Sequence, residues 1–198
     1  NIDADYNSLT IKKNNTMKKT HLIIALMLTA TAGFAQKKTT TSATVAFDAT
    51  TALDALPKAE NKTVIAALDT KTGDVMFEAT VKGFAFGNPK IQEHFNSAGW
   101  MNSDEFPKAT FKGKITNLAD VNFKKPGTYT ANVEGDLTIH GKTQKVNTTA
   151  TIAVAGKKKI NTTTAFAVKL ADYAVDGPAV GAGKVSAEPK ITVKADFK

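Results

Sequence analysis

The chain has 198 residues, 26 cationic side chains that are all lysine, no cysteine and a formal net charge of +8. Without cysteine there is no disulfide, no thiol nucleophile and no Cys-based metal site. Without arginine the planar donor fork that reads phosphates and base edges is missing, which argues against a dedicated nucleic-acid partner.

Asn1–Thr16 is polar, has no apolar period and precedes Met17, so it reads as an upstream extension. From Met17 the chain runs MKKTHLIIALMLTATAGFA to Ala35. Lys18 and Lys19 form a positive start, Leu22–Leu28 a short apolar run, and Gly33-Phe34-Ala35 brings small residues to a cleavage point. This pattern predicts a signal peptide at 17–35, cleavage after Ala35, and a periplasmic or secreted product. The apolar run is well short of the ~20 residues that span a bilayer. The remaining 36–198 segment has the length of one domain with its own core.

Ala43–Ala49 and Thr63–Leu68 read as the first strands. Asp69-Thr70-Lys71-Thr72-Gly73 is turn chemistry, with Gly73 suited to a positive φ. Asp74–Phe84 alternates, Val75, Phe77, Ala79 and Val81 on one face and Met76, Glu78, Thr80 and Lys82 on the other, the mark of a half-buried strand. Gly87-Asn88-Pro89 breaks the alternation. Asn88 suits a helix cap and Pro89 a first helical position, so a short helix is predicted near residues 89–96, with Ile91 and Phe95 on one face. Ser97–Phe106 is irregular, carries the single tryptophan, Trp100, and ends at Pro107.

Four longer alternating runs follow: Ala109–Leu118, Thr128–Ile139, Thr143–Ala155 and Lys159–Leu170. Pro126-Gly127, His140-Gly141 and Gly156 sit between them as turns. The glycine-rich loop Ala171–Gly183 precedes a last run, Val185–Phe197. The fold class is all-β. About eight strands with short connections predict an antiparallel barrel, closed so that no sheet edge is exposed. The inside of such a barrel is either filled by side chains or just wide enough for one small ligand.

Catalytic constellations are absent. Asp104 and Glu105 are adjacent and do not face one another as an acid/base pair. No Ser elbow is found, and Gly181-Ala182-Gly183 lacks the strand and helix of a phosphate loop. His94 and His140, with Glu93 or Asp136, lack metal-ligand spacing, so no metal is expected. His140 is expected to bond its own turn, and His94 to stand at the barrel mouth facing a ligand headgroup. Asp172-Tyr173 beside Gly177-Pro178 reads as a corner tie.

Four strings in order carry a family resemblance: His94-Phe95, Asp104–Phe111 (DEFPKATF) with Tyr129, Gly135–Gly141 (GDLTIHG), and Phe166–Tyr173 (FAVKLADY). They resemble the YceI-like family across nearly all of 36–198. Where that family often has a histidine in the early strand, this chain has Glu78-Ala79-Thr80. The resemblance implies an extended lipocalin-like barrel that is exported, holds a long polyisoprenoid in its lumen, needs no cofactor and performs no catalysis. Its inward-phase residues then become ligand-binding candidates: Phe77, Val81, Phe84, Phe95, Trp100, Phe111, Tyr129, Val133, Leu137, Phe166 and Val168, with His94 at the mouth. Ile152 and Leu170 share that phase. The partner expected is a long-chain lipid, with weak contact to the envelope surface; a homodimer is left open. The alternative is an envelope stress protein with a filled lumen that acts through its lysine-rich surface, since such lysines otherwise only solvate strand faces.

Overall fold

In the computed structural model the described residues are 37–155 and 159–198. The expected upstream extension, the signal peptide with its cleavage point and the turn at Gly156 lie outside them.

Alternating Thr, Val, Ala and Phe build strands β1 (Lys37–Asp48) and β2 (Lys58–Asp69). Their connection turns back through Thr50–Pro57, where Asp48 accepts from the Thr50 amide and hydroxyl. Those two donors hold the Asp48 carboxyl below its usual range. Both strands begin earlier than the residue pattern suggests. Lys37–Ser42 is too polar to read as a strand, yet Lys37–Thr40 finds ladder partners in Ala66–Asp69. Glu60 and Lys62 break the apolar pattern of β2 but point outward and pair at 3.0 Å.

The turn to β3 (Asp74–Thr80) behaves as its chemistry predicts. Asp69 Oδ1 accepts from the amides of Lys71 and Thr72, and Gly73 takes φ +78°. β3 is shorter than the alternation suggests, because Val81–Gly83 coils into a 3-10 turn. After β4 (Ala85–Phe86), helix α1 (Pro89–Asn96) starts with the Asn88 carbonyl oxygen of the side chain accepting from Lys90 N at 2.9 Å. This is the expected cap, and Pro89 fills the first turn.

The rest is a meander: β5 (Lys108–Ile115), β6 (Gly127–Ile139), β7 (Lys142–Ala155), β8 (Lys159–Ala167) and β9 (Lys190–Phe197). His140 and Gly141 both adopt positive φ, which matches a two-residue hairpin to the strand twist. The runs expected at Lys159–Leu170 and Val185–Phe197 are trimmed. Leu170–Tyr173 forms a 3-10 turn, and a single helical turn at Pro178–Gly181 occupies the glycine-rich loop.

Strand order is β1-β9-β8-β7-β6-β5-β3-β2, and β2 pairs back onto β1. This is a closed eight-stranded antiparallel barrel of lipocalin type, with β4 an appendage on β2. The ring closes at β1, whose register against β2 slips twice around Ala43. Asn61 is fully buried there. Its amide donates to Thr80 O, and its oxygen accepts from the Thr63 amide and hydroxyl. A buried amide with every group used costs little and holds one register.

Candidate functional site

Register places one set of side chains inside. Val45 and Phe47 of β1, Phe77 of β3, Phe111 of β5, Leu137 of β6, Phe166 of β8 and Ile191 of β9 all point to the axis. They do not fill it. A cavity of about 170 Å³ runs through the barrel. Along β9 its wall extends from Ile191 to Phe197, about 20 Å of strand at the usual rise. At the ~30 Å³ that each water takes in the liquid, the cavity offers room for about six water- or methylene-sized groups. Several wall residues, among them Phe77, Phe111, Val133 and Phe166, are only half-buried although they face inward. Between a filled and an open lumen, which the residue pattern left undecided, the side chains leave it open.

The wall carries no charged residue. Apart from hydrocarbon it offers threonine hydroxyls and backbone. Such walls offer water few partners, and a charge inside has no counter-ion to offset its desolvation.

One device keeps the lumen open. Gly113 and Gly135 face each other across β5 and β6, both in the inward phase. A Cβ on Gly135 would fall 2.5 Å from Gly113 Cα and 2.6 Å from Phe111 Cζ. The Phe111 ring therefore lies over a bare patch of backbone instead of projecting across the axis, the arrangement by which an aromatic covers sheet glycines.

One end is closed by aromatic rings. Phe95 of α1 meets Phe86, Phe84 and Phe47 with ring centroids 4.9, 5.9 and 6.1 Å apart. The Gln92 side chain fastens the helix to the wall, donating to Phe84 O at 2.8 Å and accepting from Phe86 N at 3.2 Å. At the same end Phe106 packs edge-on to His140, with centroids 4.6 Å apart.

Of the expected lumen residues, Phe77, Val81, Phe84, Phe95, Phe111, Val133, Leu137, Phe166 and Val168 line the cavity, as do Ile152 and Leu170. Three others lie elsewhere. Trp100 packs over Gly177, where a Cβ would come within 2.6 Å of its ring. Tyr129 reaches back to donate to Lys125 O at 2.9 Å and braces the loop before β6. His94 is exposed on the outer side of α1, because the helix buries Phe95. Ala79 faces inward at the early-strand position, while Glu78 points outward to Lys108 at 2.7 Å.

His140 does not bond its own turn. Its Nδ1 lies 3.2 Å from Tyr173 O, and Gln144 Nε2 donates to Asp172 O at 2.8 Å. The 170–173 turn is thus tied down as a corner, through its carbonyls. Burial, followed by the nearby Asp172 charge, pushes the Tyr173 phenol up to about 12. Asp104 pairs with Lys82 and Glu105 accepts from Asn102, as solvated loop charges. Among the described residues no three His, Asp or Glu side chains are grouped to hold a metal.

Periodicity alone missed several wall residues. Val45, Phe47 and Val64 sit around the β1 slips, which shift the phase. Thr148, Thr162 and Thr164 were hidden because threonine reads equally as a strand former on the wet face.

A family model described as a YceI-like domain matches residues 27–197. No curated protein matches the chain. Among solved structures, a polyisoprenoid-binding domain of Saccharophagus degradans, implicated in plant cell wall breakdown, superposes with TM-score 0.69 at 12% identity. It covers 82% of this chain and 98% of its own. BcnA of Burkholderia cenocepacia gives TM-score 0.65 at 20% identity, covering 79% of this chain and 96% of its own. At such identities the likeness is one of fold.

Proposed function

The chain belongs to the YceI-like family, and from that premise we propose that it is an exported lipid-binding protein. It holds an isoprenoid or similar long-chain amphiphile in its lumen, as a carrier or store rather than as an enzyme. The observation that carries this reading is the elongated, charge-free cavity with half-covered aromatic walls. A fold neighbour from Saccharophagus degradans is a polyisoprenoid-binding domain, which supports the same class of ligand. Export rests on the residue pattern of 17–35 alone.

Energetics favour a chain over a compact ligand. Each buried CH₂ gains about 0.8 kcal/mol, so about six groups gain roughly 5 kcal/mol. Association costs ~4–15 kcal/mol, so short chains should fail and long ones succeed. Affinity should rise about fourfold per added carbon until the lumen is full. A longer isoprenoid then leaves its remainder at the mouth or displaces the wall rings.

Native mass spectrometry of protein purified without detergent, with and without added polyprenols, tests this. The expected result is a mass increment matching one lipid per chain. Val133→Phe, which adds bulk to the wall without polarity, should reduce uptake severalfold. Protein that stays ligand-free at every polyprenol concentration would refute the carrier reading.

A further inference from the structure

The barrel wall is not equally bonded all round. β7 pairs with β6 from Lys142 to Val154, but with β8 only from Ala150 to Ala155. From Lys142 to Thr149 it has no β8 partner among the described residues. Side chains bridge the gap instead. Thr164 Oγ1 donates to Thr149 O at 2.7 Å, and Thr148 Oγ1 lies 3.1 Å from Thr164 Oγ1. Beyond them Gln144 Nε2 reaches Asp172 O. Between these bridges the two strands are unladdered, a window in the backbone ladder with Val146 and Phe166, both half-buried, on its two sides.

The cavity's inward-phase hydroxyls all belong to this wall: Thr148 on β7, and Thr162 and Thr164 on β8. Each hydroxyl has one proton and two lone pairs. Thr162 gives its proton to Ala195 O at 3.4 Å and Thr164 gives its own to Thr149 O. The Thr148 hydroxyl has two acceptors in reach, Thr164 Oγ1 at 3.1 Å and Thr149 O at 3.4 Å, and whichever takes its proton leaves the Thr148 lone pairs for a donor. No lysine lines the cavity to neutralise an anion.

We propose that the β7–β8 window seats the polar end of the lumen ligand, and that this end is an uncharged hydroxyl donating to Thr148 Oγ1, so that the ligand class is a long-chain alcohol. This rests on the lumen reading above and adds to it the headgroup and its place. A carboxylate or phosphate brings charge without a proton and is disfavoured. An ether of the same length fills the lumen but has nothing to donate.

The test is a binding series on the full chain with 1-dodecanol, its methyl ether and dodecanoate, repeated on Thr148→Val/Thr164→Val and on Thr148→Ser. In the parent, dodecanol should bind about fivefold tighter than the ether, the worth of one hydrogen bond, and should also exceed dodecanoate. The double valine variant should lose the preference, while the serine variant, which keeps the hydroxyl, should retain it. Equal binding of alcohol and ether by the parent overturns the headgroup assignment and leaves the lumen reading standing. So does a preference that survives the valine pair. If none of the three binds, the lumen reading fails and the assignment falls with it. Should the valine pair not fold, the parent and serine comparisons still decide.

Discussion

Single residues set both the register and the width of this barrel. Asn61, opposite Val45 where the β1–β2 register shifts, spends its amide and oxygen on Thr80 and Thr63. Gly113 and Gly135 let the Phe111 ring lie on the wall. Tyr173 gives a titration handle on the corner. Its phenol is raised to about 12 by burial, while an unfolded tyrosine titrates near ~10. A raised acid keeps its proton in the folded state after the unfolded chain has lost its own. The resulting stabilisation is complete below pH ~10 and is lost as pH rises through the folded value. Urea midpoints measured from pH 9 to 12 should therefore fall, and Tyr173→Phe should flatten that fall. An identical slope in the variant would assign the effect to other groups.

At the scale of elements, α1 is the piece whose attachment is least redundant. It is eight residues long, too short to persist without packing, and it closes one end through Phe95 and the two Gln92 bonds. Gln92→Ala should cost about 1–2 kcal/mol, since it removes two hydrogen bonds to partly buried backbone. Amide exchange at Phe86 should quicken in hydrogen-exchange measurements, and exchange in β6 and β7 should not change. Uniform acceleration would mean that the helix is part of the global unfolding unit. This element was readable in the residues, because a cap, a proline and an apolar pair four apart are local signals. The first half of β1 was not readable. Lysine and threonine are at most half-buried there, and Lys37–Thr40 is a strand because β2 supplies the ladder. His94 stays out of the cavity lining for a related reason. Spacing gives two faces of a helix, but the Phe47, Phe84 and Phe86 rings decide which face turns inward.

For the whole molecule, closure matters most. Every strand of the ring has two neighbours, which shortens the edges left to recruit another chain, and the wall should unfold as one unit. Ala43, fully buried at the closing strand, tests this. Ala43→Asp places an unpaired carboxylate in the core and should cost about 3 kcal/mol or more. Far-UV and near-UV signals should still be lost together in urea. Two separated transitions would show that β1 and β2 detach from a surviving sheet. The sequence by itself determined the all-β class, the eight strands of the ring, the capped helix and the apolar phase that faces the axis, because these follow from period-two patterning and turn chemistry over a few residues. Tertiary structure alone decided that the axis is hollow, that Trp100, Tyr129 and His94 lie off it, and that threonines of β7 and β8 bridge a window in the wall. Those outcomes depend on volumes and registers summed over strands far apart in the chain, and no local pattern encodes such a sum.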